Sequence, residues 1–109
     1  MFDFEKLEVY RKARNFNKVL RRTVLKNSQI DRSTKSQLNR AALSIMLNIA
    51  EGSGRFTNPD KGNFYTIARG SVFECVALVH FLLDEKIVNP IHYSTYYELA
   101  EELPKCSTL

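Results

Sequence analysis

The segment Asn39 to Arg55, NRAALSIMLNIAEGSGR, carries more apolar surface than one helical neighbour can cover. With successive residues about 100° apart around a helix, Leu38, Ala41, Ala42, Ile45 and Ile49 share one face. Leu43, Leu47 and Ala50 fall on nearly the opposite one. A helix apolar on two sides needs burial on two sides, which predicts a place inside a bundle and a second face continuing into a subunit interface. Gly52-Ser53-Gly54 reads as the punctuation that ends this helix.

Other features bound the answer. A chain of 109 residues is one domain, residues 1–109, with room for a single modest core. Met1 to Tyr10 carries Asp3, Glu5, Lys6 and Glu8, which is not the order of a signal peptide. The most apolar run, Val72 to Leu83, is broken by Glu74 and His80 and falls short of the ~20 residues of a membrane span. A cytoplasmic protein without a membrane partner is expected. Cys75 and Cys106 have no close pairing; free thiols in a reducing cytoplasm are the expected state, with a disulfide between them the alternative.

Charge is unevenly spread. Residues 1 to 55 hold twelve Lys or Arg against five Asp or Glu, and residues 56 to 109 hold four against seven, which together give the net charge of +4. A basic half and an acidic half point to a polyanion partner on one side or to head-to-tail self-association.

The first helix is expected to start after Asp3, whose carboxylate is placed to cap its first turn. Val9, Tyr10, Ala13, Phe16, Leu20 and Val24 recur at helical spacing. Opposite them lie Arg11, Arg14, Lys18, Arg21, Arg22 and Lys26, with no acidic residue from Arg11 to Lys26. A merely solvated face usually mixes signs, so this stripe is a candidate nucleic-acid-binding surface.

Asp31, Ser33 and Thr34 are alternative caps for the second helix, which should end near Glu51; Thr34 to Gln37 fits a capping box. Asn58 and Pro59 suit the start of a third helix, about Asp60 to Glu85. Gly70-Ser71 in its middle implies the close approach of a neighbouring helix. Asn89-Pro90 leads into a fourth, roughly His92 to Leu103, which Pro104 should kink or end. Four helices with short connections predict an all-α, antiparallel up-down-up-down four-helix bundle.

Two ordered motifs carry a family resemblance. Arg40-Ala41-Ala42-Leu43-Ser44-Ile45 and Asn48-Ile49-Ala50-Glu51-Gly52 with Arg55 form the first. Phe64, Ile67-Ala68-Arg69-Gly70-Ser71 and Glu74 form the second. From Phe4 onward the chain resembles the four-helix-bundle proteins encoded in intervening sequences of bacterial 23S ribosomal RNA genes. It departs at Asn39, where the family often has a second Arg, and at Met46-Leu47. The resemblance implies a left-handed bundle that assembles as a homopentamer around a central channel, with no known catalytic activity. Structurally similar accessory variability determinant proteins of diversity-generating retroelements bind nucleic acid and a reverse transcriptase through a basic surface.

The residues themselves offer little for catalysis. His80 and His92 fall on different predicted helices, without Cys or carboxylate at metal-ligand spacing. Cys75 and His80 point to different sides of one helix, and Glu98, Glu101 and Glu102 read as a helix surface. Gly52-Ser53-Gly54 follows a helix, whereas phosphate loops precede one and use its positive end. No metal or cofactor is expected, and the chain reads as a non-enzyme. The motif residues Arg40, Asn48, Glu51, Arg55 and Glu74 read as an ion-pair and hydrogen-bond network that fixes helix register or the subunit contact. The alternative is a shared cleft or channel that the arginines face, where they bind an anion.

Together these readings predict a homo-oligomeric bundle that contacts RNA or DNA backbone through the first-helix stripe without sequence preference, since few aromatics accompany it. The rival is an interaction scaffold whose stripe docks an acidic protein partner such as a nucleic-acid enzyme.

Overall fold

The computed structural model describes residues 1–109 as four α-helices and two short 3-10 turns, with no strand. The helices are α1 (Glu8–Arg22), α2 (Arg32–Ser53), α3 (Asn58–Asp84) and α4 (Pro90–Lys105).

The start of α1 differs from expectation. Asp3–Lys6 forms a 3-10 turn, and extended backbone at Leu7 (φ −73°, ψ 130°) separates it from α1. Asp3 therefore caps nothing; Glu5 closes the turn by accepting from the Phe2 amide at 2.8 Å. At the other end α1 stops at Arg22; Thr23 stays right-handed at φ −117°, ψ −78°, and its amide still donates to the Val19 carbonyl. Val24–Lys26 continues as a 3-10 turn pinned by buried Val24, which takes Lys26 off the helix that carries the other five cations.

Of the three candidate caps for α2, Asp31 is used: its carboxylate accepts from the Thr34 amide at 3.1 Å, and hydrogen bonding from the Thr34 side chain and then its amide holds its pKa below the ordinary value. α2 runs through Gly52 to Ser53, and Gly54 stays right-handed at φ −86°. The helix closes by amides reaching back three residues, Gly54 to Glu51 and Arg55 to Gly52. Thr57, not Asn58, caps α3, accepting from the Asp60 amide at 3.3 Å. Asn89 caps α4, accepting from the His92 amide at 2.7 Å, and Pro104 occupies the last turn. The turn between α3 and α4 is a Schellman motif. Ile87 and Lys86 donate to the carbonyls of Leu82 and Leu83, and Lys86 takes the left-handed conformation at φ 61°.

Each helix packs on its chain neighbours, and α4 returns to α1, so the four surround one core. Phe16, Leu20, Leu38, Ile45, Ile49, Val72, Val79, Leu82 and Leu103 are fully enclosed there. Asn17 is the one buried amide; its Nδ2 donates to the Ala13 and Ala42 carbonyls at 3.2 and 2.8 Å, tying α1 to α2 without an unsatisfied group. α2 and α3 make the most extensive pairing. Gln37 meets Glu74, Ser44 meets Ser71, and Gly52 meets Tyr65, the residue numbers running in opposite order along the two helices.

Small residues make that approach possible, but not at the glycine expected. A Cβ at Gly52 would stand 2.7 Å from Cε1 of Tyr65 and 3.0 Å from Cβ of Phe64. Gly70 is exposed, with nothing within 4 Å of where its Cβ would be, so the neighbour expected there is not supplied by this chain.

The second apolar face of α2 stays uncovered. Leu47 is 58% exposed, and Leu43 is exposed beside it. On α3, Ile67 and Phe81 are half exposed and share a side with Gly70 and Ala77 at helical spacing. The apolar content of α3 thus divides between core and surface. Its 27 residues contain a window of mean hydropathy 1.5, long and apolar enough by composition to cross a membrane, which corrects the expectation that no segment reaches that length. In the fold, Ala68, Val72, Cys75, Val79 and Leu82 face the core instead.

Candidate nucleic-acid interface

Periodicity sets which α1 side chains face outward. With Val9, Ala13, Phe16 and Leu20 turned into the core, Arg11, Arg14, Lys18 and Arg22 are exposed. Arg21 lies at the edge nearest α2 and is half buried, and Lys26 is exposed on the following turn. No carboxylate lies within ion-pair distance of any of these six. Arg11 reaches only the Lys6 carbonyl, at 3.3 Å. Arg21 differs from the rest: it donates to the side-chain oxygens of Asn39 on α2 and Asn17 on α1, so it joins two helices as well as carrying charge.

Lys12 belongs to the same helix but not to this surface. It pairs with Glu8 at 3.1 Å and reaches Glu102 of α4 at 3.5 Å, and the hydrogen bond to Glu8 raises its pKa.

Two cations absent from the stripe enter the same region through folding. Arg32 and Lys35, three apart on the first turns of α2, line a concavity with Arg21, Leu25, Ser36 and Asn39. The signal in the sequence was their shared helical face with Ser36 and Asn39. Their meeting with Arg21 depends on the path of the Val24–Ile30 connection.

The expected network of motif residues forms in part: Arg55, Asn48, Glu51 and Glu74 each have a partner, and Arg40 has none. Arg55 pairs with Glu51 at 3.8 Å and lays its guanidinium 4.4 Å from the centre of the Phe64 ring. Asn48 Nδ2 donates to the Ser44 carbonyl and hydroxyl at 2.9 and 3.0 Å, and the Ser71 hydroxyl donates to that of Ser44 at 2.8 Å. Glu74 accepts from Gln37 at 3.4 Å. Arg40 is exposed, with no hydrogen bond or ion pair in the chain. Across the α2–α3 pairing the contacts are therefore Ser44 with Ser71, Gln37 with Glu74, Arg55 over Phe64 and Gly52 against Tyr65, with Arg40 taking no part. Within the single chain Arg40 and Arg55 share no contact and no common partner.

His80 and His92 are exposed beside Tyr93 and Tyr96, with ring centroids 5.7 and 6.4 Å apart. No group of three His, Cys, Asp or Glu side chains is close enough to hold a metal ion. Both cysteines are free, and burial pushes the Cys75 thiol up to about 12, leaving it protonated at neutral pH.

Comparison with curated proteins returns no match. The sequence pattern of the 23S rRNA-intervening sequence protein matches residues 5–108, all four helices included. With nearly the whole chain matched and the motif residues placed on the α2–α3 pairing, the chain belongs to the 23S rRNA-intervening sequence protein family.

Proposed function

We propose that this protein is a non-catalytic, self-associating four-helix bundle of antiparallel up-down-up-down topology that binds RNA or DNA backbone through the outer side of α1. The reversed order of the residue pairs along α2 and α3 supports the topology. One observation carries the binding assignment: the outward cations of α1 stand without a single carboxylate partner, while Lys12 on its inner flank has two. Unpaired cations on one surface neutralise phosphates and release condensed counterions, an affinity that needs no base recognition.

Self-association uses the other side of the molecule. The uncovered apolar faces of α2 and α3 meet a second copy, and five copies is the number the family resemblance implies. α1 packs on α2 and α4, so joining copies through α2 and α3 leaves its outer side open and repeats it around the assembly. Repetition multiplies weak backbone contacts by avidity. A cytoplasmic location fits a partner of this kind.

Filter binding of nonspecific RNA at low and moderate salt tests the assignment. Retention at low salt that falls steeply as salt rises supports it. No retention at either salt contradicts it and favours a scaffold for an acidic protein.

A further inference from the structure

The geometry points to a phosphate-binding notch between the end of α1 and the first two turns of α2, in which Arg21, Arg32 and Lys35 grip the backbone of a nucleic acid. The inference rests on the binding assignment above and gives it a specific seat. Six residues line the concavity: Arg21, Leu25, Arg32, Lys35, Ser36 and Asn39. Three are cationic and two are neutral and polar; only Leu25 is apolar, and no carboxylate is among them. Three like charges around one hollow repel each other, and an anion in the hollow converts that repulsion into attraction.

The notch is also pre-shaped. Asn17 and Asn39 each accept one Arg21 N–H, which orients its guanidinium in this shallow, open concavity and leaves other donors of its five for a phosphate oxygen. Arg32, Lys35, Ser36 and Asn39 follow one face of α2 at helical spacing, with the Ser36 hydroxyl making no hydrogen bond in the chain. The nearest acid in sequence, Asp31, is engaged with the Thr34 amide on the helix cap.

Continuity identifies the ligand as a polymer and not an isolated anion. Arg14 lies seven residues before Arg21 on the same face of α1, so the notch extends the exposed cations of α1 without a break, and one backbone crosses both.

The test compares wild-type protein with Arg32→Ala/Lys35→Ala, using fluorescence anisotropy of a labelled uridine oligomer between about 50 and 200 mM salt. Both residues are near the helix surface and alanine favours helix, so circular dichroism should be unchanged; Arg21 is left intact because it also joins α1 to α2. The expected result is about tenfold weaker binding at low salt, with a slope of log affinity on log salt shallower by about 1.4, two phosphate contacts at about 0.7 each. Unchanged affinity and slope in the variant, with the wild type binding, overturn the notch and leave the α1 assignment standing. Absence of wild-type binding at every salt overturns both.

Discussion

Gly52 of α2 lies so close to the Tyr65 ring of α3 that a methyl group in place of its hydrogen would be 2.7 Å from Cε1. A helical glycine usually costs about 1 kcal/mol relative to alanine. Here the close approach offsets that cost, since Phe64 Cβ stands at 3.0 Å and cannot swing aside as a ring edge can. Gly52→Ala should therefore destabilise by about 1–2 kcal/mol after its propensity gain, and Gly52→Val by more. Thermal melts followed by circular dichroism check both; an unchanged or raised Tm in Gly52→Ala contradicts the contact.

Gly70 should behave in the opposite way when the subunit is studied alone. Its open surroundings let alanine gain up to about 1 kcal/mol of helix propensity with no clash. If another copy covers this face, the gain shrinks or reverses at concentrations where the protein self-associates. Melts of Gly70→Ala across a dilution series separate the two cases.

Lys86 holds a left-handed φ of 61° at the Schellman turn after α3, a conformation that costs a side-chain-bearing residue about 1–2 kcal/mol. Lys86→Gly should raise stability by about 1 kcal/mol, the added freedom of the unfolded chain taking back part of the relief. Urea denaturation reads this directly as a higher midpoint at unchanged m.

Cys75 links stability to pH at the alkaline end. Burial raises its pKa from 9.0 to about 12, so below pH 9 the thiol is protonated in folded and unfolded chains alike and has no effect. Between pH 9 and about 12 the unfolded chain ionises while the folded one does not, and stability falls by about 1.4 kcal/mol per pH unit. Cys75→Ala should flatten that decline while lowering stability at neutral pH. At pH 8, iodoacetamide should modify the half-buried Cys106 and spare Cys75, which mass spectrometry of the folded protein reports.

The helices were legible because apolar spacing of three and four residues persists through each of them, and Phe16, Ile45, Val72 and Leu103 all face the core as that spacing requires. Their ends were less so. Asp3, Asn58 and Asp31 have equal chemical title to a cap, and only the local backbone path decides that Asp31 serves while Thr57 replaces Asn58. Of the three helical glycines, a pattern cannot say which meets a neighbour, since the α2–α3 register places Gly52 against Tyr65 and leaves Gly62 and Gly70 bare. Glu74 pairs with Gln37, one turn before Arg40 on α2, and not with Arg40. The α1 stripe was visible as a run of one sign, whereas Arg32 and Lys35 join Arg21 only through the turn between two helices.

Leu47, Ile67 and Phe81 are exposed on the apolar side of α2 and α3 that further copies of the chain should cover. Size-exclusion chromatography with multi-angle light scattering at micromolar concentration measures whether they do. The expected mass is several times the 12.6 kDa subunit, fivefold by family resemblance, with a shift to single subunits in Leu47→Lys/Phe81→Lys and helicity kept. A wild-type protein that elutes folded at 12.6 kDa contradicts it.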